Sequence, residues 1–452
     1  MRKPWGWVAL GLILVTGLGA CDRRETPASG SASADTVEQA AVSASPSPEP
    51  LVSFSPGSGT ENVRPDEQVV VTAQDGRLES VAVVTAKGKV LTGTLDPSGS
   101  AWRSGGLLDT ASTYTVTAVA VAESGEKKTS SSSFTTLKPT STLSIEAIAP
   151  GDGWSVGVGM PIMIQFSGSV KDRAAVERTL SVRSTPTVEG AWHWMNSRQV
   201  WWRPKAYWPK GTKVTMTAAI NGAETSKGVW GRRSYSTAFT VGSAVISTVD
   251  VKSHTLTVTK DGKHVRTIPV TTGLPTDKYR TRGGTKVIMD KRAVETMDAA
   301  STGTNKDDPE YYNLTVKWAM RLTWSGEYLH AAPWSVGQQG RANVSHGCTG
   351  MSTSNAKWMF DFSKIGDVVV YTHSPRALEP GNGYTAWEYT WGEWLKGSAL
   401  AGDSTTASPS TSAPSTSAAS TGTAATVTGS SSSTSGATAS AATGATVMAA
   451  GS

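Results

Sequence analysis

The chain has 452 residues, with 42 Lys and Arg against 36 Asp and Glu and a formal net charge of +6. That length allows several domains with sizeable cores. No basic stripe with interleaved aromatics appears, which excludes nucleic acid as a partner, and the mild positive excess suits an anionic wall or membrane surface.

The first residues, MRKPWGWVALGLILVTGLGAC, read as an export signal. Arg2 and Lys3 supply its positive end. Val8 to Val15 is an apolar run too short to span a bilayer, and small residues precede Cys21. Leu18-Gly19-Ala20-Cys21 resembles the lipobox of bacterial lipoproteins. That resemblance implies a signal over residues 1–21, lipidation of Cys21, and a chain held by its lipid at the outer face of the cell membrane, in the cell wall space. Residues 22–50, rich in Ser, Ala, Pro and Thr, bury too little apolar surface to fold and read as a tether. Cys348 is the second of only two cysteines. With Cys21 lipidated it has no disulfide partner, and an odd cysteine in an exported protein points to a reactive thiol. The competing reading is a small buried hydrophobe.

Residues 51–140 hold short β-branched runs: EQVVVTA, LESVAVVTA, KVLTGTLD and TYTVTAVAVAE. Asp75-Gly76, Lys87-Gly88 and Ser124-Gly125 punctuate them. This spacing predicts a β-sandwich. Residues 141–242 form a second unit, and its closing STAFTVG is like the SSFTTL that closes the first, which suggests tandem immunoglobulin-like domains. The second unit carries Trp192, Trp194, Trp201, Trp202, Tyr207 and Trp208. A glycan-binding face is one reading of them, and core or domain packing is the reading favoured by the usual place of large aromatics.

A third unit covers residues 243–374. Asp261-Gly262 predicts a hairpin between Leu256–Lys260 and Lys263–Val270. The polar stretch 301–312, STGTNKDDPEYY, has the length and composition of a lid. Ser352 is a candidate N-cap for a helix ending before Gly366. In residues 375–400, a small C-terminal subdomain, Trp387, Trp391 and Trp394 fall at helical spacing on one face, expected to pack on the third unit. Residues 401–452 are almost all Ser, Thr, Ala and Gly and are expected to be disordered. The fold class is therefore mainly β: two immunoglobulin-like sandwiches, a β-rich third domain and a Trp-rich helical end.

A thiol attacks as thiolate, and a neighbouring imidazole or helix N-terminus lowers its pKa. The histidines are 193, 254, 264, 330, 346 and 373. Those near Cys348 show no zinc-finger spacing, so no metal is expected, and a redox pair lacks its second thiol. An inert core cysteine and a catalytic Cys–His pair remain. The glycine beside Cys348 and the helix soon after it suit the pair.

The stretch HAAPWSVGQQGRANVSHGCTGMS closely resembles the signature of the L,D-transpeptidases, whose catalytic domain is often called YkuD: a His, a spacer, then S-H-G-C and a Ser. The likeness covers roughly residues 50 to 400 and is strongest to mycobacterial-type members. It implies an acyltransferase that makes 3→3 peptidoglycan cross-links through a cysteine thioester and releases D-Ala. It also implies peptidoglycan stem peptides as partners, with a tetrapeptide donor and a diaminopimelate acceptor, no cofactor, and inhibition by carbapenem-type β-lactams. By the same resemblance Cys348 matches the nucleophile, His330 the base and the carbonyl of Ala331 its orienting partner. Amides around Gly347 to Thr349 form the oxyanion hole, Tyr312 is a lid tyrosine, and Ser325, Gly326 and Trp334 line the donor site. His346 is expected to be structural or to tune the thiolate, its side chain turned away from Cys348. Thr349-Gly350 replaces the Leu-Asn or Leu-Arg of many relatives, a departure expected to remove one side-chain contact with the donor peptide, while the positions of His346, Thr349 and Gly350 are still expected to face the substrate. The alternative is a catalytically inactive wall-binding or scaffolding lipoprotein.

Overall fold

The computed structural model describes residues 48 to 401 apart from Glu310. The signal segment with Cys21, the tether as far as residue 47, and the tail beyond 401 lie outside the described residues.

Alternation builds the first unit. In Thr113–Val121, TYTVTAVAV, Tyr114, Val116, Ala118 and Ala120 all point inward. This strand pairs with Arg77–Thr85 and Lys127–Thr135 to form one sheet. A second sheet orders Leu51–Ser55, Val70–Gln74, Ala101–Ser104 and Gly93–Leu95. Between them lie Val71, Leu78, Val83, Trp102 and a Tyr114–Phe134 stack at 5.3 Å. The second unit has two four-stranded sheets and a small three-stranded one. Its tryptophans 192, 194, 201, 202 and 208 are all buried in its core, as the packing reading expected.

The third unit joins two sheets. One orders Lys263–Pro269, Thr255–Lys260, Val245–Asp250, Val368–Thr372 and Gly284–Val287. The turn at Asp261 and Gly262 has φ of 52° and 77°, the primed geometry that Asp-Gly favours. The other orders Asp290–Asp298, Asn313–Arg321, Tyr328–Ala331 and Thr349–Met351. The helix Thr353–Phe362 starts at the Ser352 cap and sends Ala356 and Met359 into the core. Among the described residues, no sheet mixes strands from before and after residue 140, or before and after residue 242.

The C-terminal tryptophans depart from expectation. They do not share one helix. A 3-10 turn, Ala386–Glu388, is followed by extended Tyr389 and then by a separate helix, Trp391–Lys396. The cause is local: Thr390 and Glu393 make a capping box that restarts the helix. The rings also pack on the second sandwich rather than on the third unit. Trp387 donates to the Gly159 carbonyl at 2.7 Å and Trp394 to that of Ala191 at 2.9 Å. The Arg203 guanidinium lies over all three rings at 4.7 to 5.2 Å. Glu388 reaches the third unit, where it accepts from the Thr285 amide.

Candidate active site

His330 and Cys348 are separated in sequence but brought to one place by two paired strands, the second of which Cys348 immediately precedes. Tyr328–Ala331 runs parallel to Thr349–Met351, with His330 opposite Gly350. The loop between is tied down by side chains. Asn343 Oδ1 accepts from the amide and hydroxyl of Thr272 at 3.1 and 2.8 Å, and its Nδ2 donates to Val251 at 3.0 Å. Gln339 Nε2 donates to the Ala332 carbonyl at 3.0 Å. Before the thiol, Gly347 has φ of 133°, which other residues adopt only with strain.

Both reactive groups are taken out of water. Cys348 is 9% exposed, and its Sγ donates to the Gly326 carbonyl at 3.4 Å. Burial pushes the thiol up to about 12, with Glu327 adding to the effect, while the Tyr328 amide and Lys286 act against it. His330 Nδ1 donates to the Ala331 carbonyl at 2.8 Å, because a carbonyl only accepts. Nε2 is left with its lone pair. Burial holds this imidazole below the ordinary histidine range, against the pull of the Ala331 carbonyl. At neutral pH the pair therefore rests as neutral thiol and neutral imidazole. The thiol is not lowered by the helix that follows, which begins only at Thr353 with its first turn capped by the Ser352 hydroxyl. A cavity of about 210 Å³ is lined by Cys348, His330, Tyr312, Trp334, His346 and Gly350.

L,D-transpeptidase 2 of Mycobacterium tuberculosis is 36% identical over 343 residues, covering 76% of this chain and 83% of that protein. The chain belongs to the L,D-transpeptidase family. Residues 244–370 match the L,D-transpeptidase catalytic domain and residues 60–224 the bacterial Ig domain, the latter as one stretch across both sandwiches. L,D-transpeptidase 5 of Mycobacterium tuberculosis is 32% identical over 75% of this chain and 74% of its own length. The solved structure of the LD transpeptidase LdtMt1 in complex with imipenem is 34% identical, covers 51% of this chain and 99% of that one, and has a TM-score of 0.45.

In this L,D-transpeptidase a charged network that the sequence reading missed backs the thiol. Lys286 and Glu327, 1% and 4% exposed, meet at 2.5 Å. Arg282 adds its backbone N–H at 3.0 Å and its guanidinium at 3.2 Å to the same carboxylate. The Lys286 ammonium also lies 3.7 Å from the Tyr371 ring centre. Burial outweighs Glu327 and lowers the Lys286 pKa. Glu327 sits between the two residues whose backbones touch Sγ, so the network holds that segment. The only trace in sequence was a lysine inside the apolar run TKVIM.

Three expectations need correction. His346 does not turn away: it lines the same cavity as Cys348, packed between Tyr279 and Tyr312 at ring distances of 4.6 and 5.0 Å. Residues two apart on an extended chain share a face, and Gly347 bends the chain further. Thr349 is no ligand contact: it is fully buried, and its hydroxyl bonds Tyr371 at 2.7 Å. The Gly347 amide is already engaged, donating to Ser345 Oγ at 3.1 Å. Gly350 does line the cavity, but a Cβ there would meet that of Ala332 at 2.9 Å. Its glycine is explained by that close approach. A second, polar cavity of about 300 Å³ adjoins the first, sharing Tyr312 and His346 and lined also by Ser325 and Gly326.

Proposed function

We propose that this chain forms 3→3 peptidoglycan cross-links through a Cys348 thioester. The observation that carries the reading is the shared cavity of Cys348 and His330, with His330 Nδ1 donating to the Ala331 carbonyl at 2.8 Å. That bond leaves Nε2 as an acceptor directed by a main-chain oxygen, the orienting role a carboxylate plays in other triads.

Because thiol and imidazole are both neutral, attack and proton transfer are coupled. Sulfur bonds to the carbonyl carbon between diaminopimelate and D-alanine of the tetrapeptide donor, and the S–H proton passes to His330. The C–N bond then breaks, and His330 returns the proton to the leaving D-alanine amine. The side-chain amine of a second stem attacks the thioester, loses its proton to His330, and the C–S bond breaks as sulfur is reprotonated. Amides near Cys348 and the Tyr312 hydroxyl are assigned to the developing oxyanion. Trp334, Ser325 and Gly326 are assigned to the donor. Carbapenems are expected to acylate the same sulfur.

Cys348→Ala is expected to abolish dimer formation from purified tetrapeptide muropeptides and to remove the carbapenem mass adduct. His330→Ala should slow turnover by about 10²- to 10⁴-fold. Unchanged dimer yield in Cys348→Ala would sink the reading and leave a scaffolding lipoprotein. We further propose that lipid on Cys21 holds the enzyme at the outer face of the membrane. Cys21→Ala should move it to the soluble fraction of cells, and continued membrane retention would refute the anchor.

A further inference from the structure

The peptide that joins Gly347 to Cys348 is held on one side only. The Thr281 hydroxyl donates to the Gly347 carbonyl at 2.8 Å and accepts from the Gly273 amide at 2.8 Å. An amide only donates and a carbonyl only accepts, so the direction of this hydroxyl is fixed. Thr281 is 1% exposed. A Cβ on Gly273 would meet the Tyr279 carbonyl oxygen at 1.8 Å and the Thr281 nitrogen at 2.8 Å, so the bare glycine is what lets the two segments close.

The backbone groups next to sulfur are accounted for one by one. The Gly347 N–H donates to Ser345 Oγ at 3.1 Å, and that hydroxyl donates to the Cys348 carbonyl at 2.6 Å. The Gly347 carbonyl is taken by Thr281. The Cys348 N–H is left, with no hydrogen-bond partner among the described residues. A trans peptide points its C=O and its N–H in opposite directions. Thr281 lines neither cavity, whereas Gly347 lines the polar one and Cys348 the apolar one. The carbonyl therefore faces the protein, and the Cys348 N–H faces the cavities.

We propose that Thr281 is a positioning residue for acyl transfer: by holding the Gly347 carbonyl it aims the Cys348 N–H at the oxygen of the acyl group that sulfur attacks. The acyl transfer itself rests on the transpeptidase reading. As the S–C bond forms, the carbonyl oxygen takes the negative charge. An N–H already in place stabilises that charge without reorganisation. Without the Thr281 hydroxyl, the Gly347 peptide is free to turn and the aim is lost.

The test compares two reactions of Cys348 in the full chain, both read at that residue by peptide mass spectrometry. p-Nitrophenyl acetate acetylates sulfur through an oxyanion: the S–C bond forms, p-nitrophenolate leaves and the S–H proton passes to His330. Iodoacetamide alkylates sulfur by displacing iodide, and no oxyanion forms. Thr281→Val should slow acetylation about tenfold or more and leave alkylation within about twofold. Thr281→Ser keeps the hydroxyl and should restore acetylation. Equal slowing of both reactions, or of neither, overturns the assignment. A second measurement needs no substitution at Thr281 and decides the matter if Thr281→Val fails to fold. With cysteine isotopically labelled at nitrogen, the Cys348 amide proton should move downfield on acetylation, and an unmoved signal overturns the assignment. Thioester formation from a tetrapeptide stem is measured separately. A Thr281 effect on acetylation with no thioester from the stem keeps the positioning role and sinks the transpeptidase reading. A stem thioester formed equally fast by wild type and Thr281→Val does the reverse.

Discussion

Cys348 and His330 face one cavity as neutral groups because the same burial that raises a thiol lowers an imidazole. A thiol raised in this way has low background reactivity, and in the proposed reaction sulfur attacks only as its proton leaves. The Tyr328 amide opposes this rise most, and Lys286 adds to that opposition from behind. Lys286→Met leaves the Glu327 carboxylate facing the sulfur with Arg282 as its remaining partner. Iodoacetamide alkylation of Cys348 at pH 8 should then slow about tenfold, the equivalent of one pKa unit. Breaking the buried pair should also cost about 3–5 kcal/mol of stability. Loss of stability with an unshifted alkylation pH profile would make the network purely structural.

Strand ends, rather than strand centres, carry the sensitive chemistry of the fold. Asp367 precedes Val368–Thr372 and is 1% exposed. One carboxylate oxygen accepts from the Lys364 amide at 2.7 Å, while the other has no hydrogen-bond partner among the described residues. Burial pushes this carboxyl up to about 7 from an ordinary 3.8. The folded state thus holds a proton that the unfolded chain releases, and the stabilisation is lost as pH rises from about 4 through 7. Asp367→Asn removes that dependence. Its melting temperature should exceed that of the wild type at pH 8, by the equivalent of about 4 kcal/mol, and the gap should close towards pH 4. A gap that does not change with pH would refute the assignment.

At the scale of the molecule, the second sandwich and the catalytic unit share one core. Val287, Met289 and Val368 of the catalytic unit pack in the same cluster as Trp201, Trp202 and the fully buried Trp394. The C-terminal helix is also tied at its end: Glu177 of the second sandwich accepts from the Ala399 amide at 2.8 Å and from the Ser398 hydroxyl. Trp394→Ala should cost about 3–5 kcal/mol and lower the melting of both units in one transition. Two transitions, only one of them shifted, would show that the units unfold independently.

Much of this was legible in the chain itself. Alternation marked the strands, Asp261-Gly262 set a hairpin, Ser352 capped a helix, and the spacing of His330 and Cys348 within a long motif pointed to the family. These signals are local, since turn chemistry, capping and side-chain period act within a few residues. The protonation of the thiol, the orientation of His346, the burial of Thr349 and the docking of Trp394 were not legible. Each depends on groups distant in sequence: Lys286 reaches Glu327 across 41 positions, and Trp394 reaches Ala191 across 203. Desolvation and pairing of charge exist only once those groups share a volume from which water is excluded. The sequence alone picked out the residues proposed to react, and tertiary structure decided their burial and the groups that surround them.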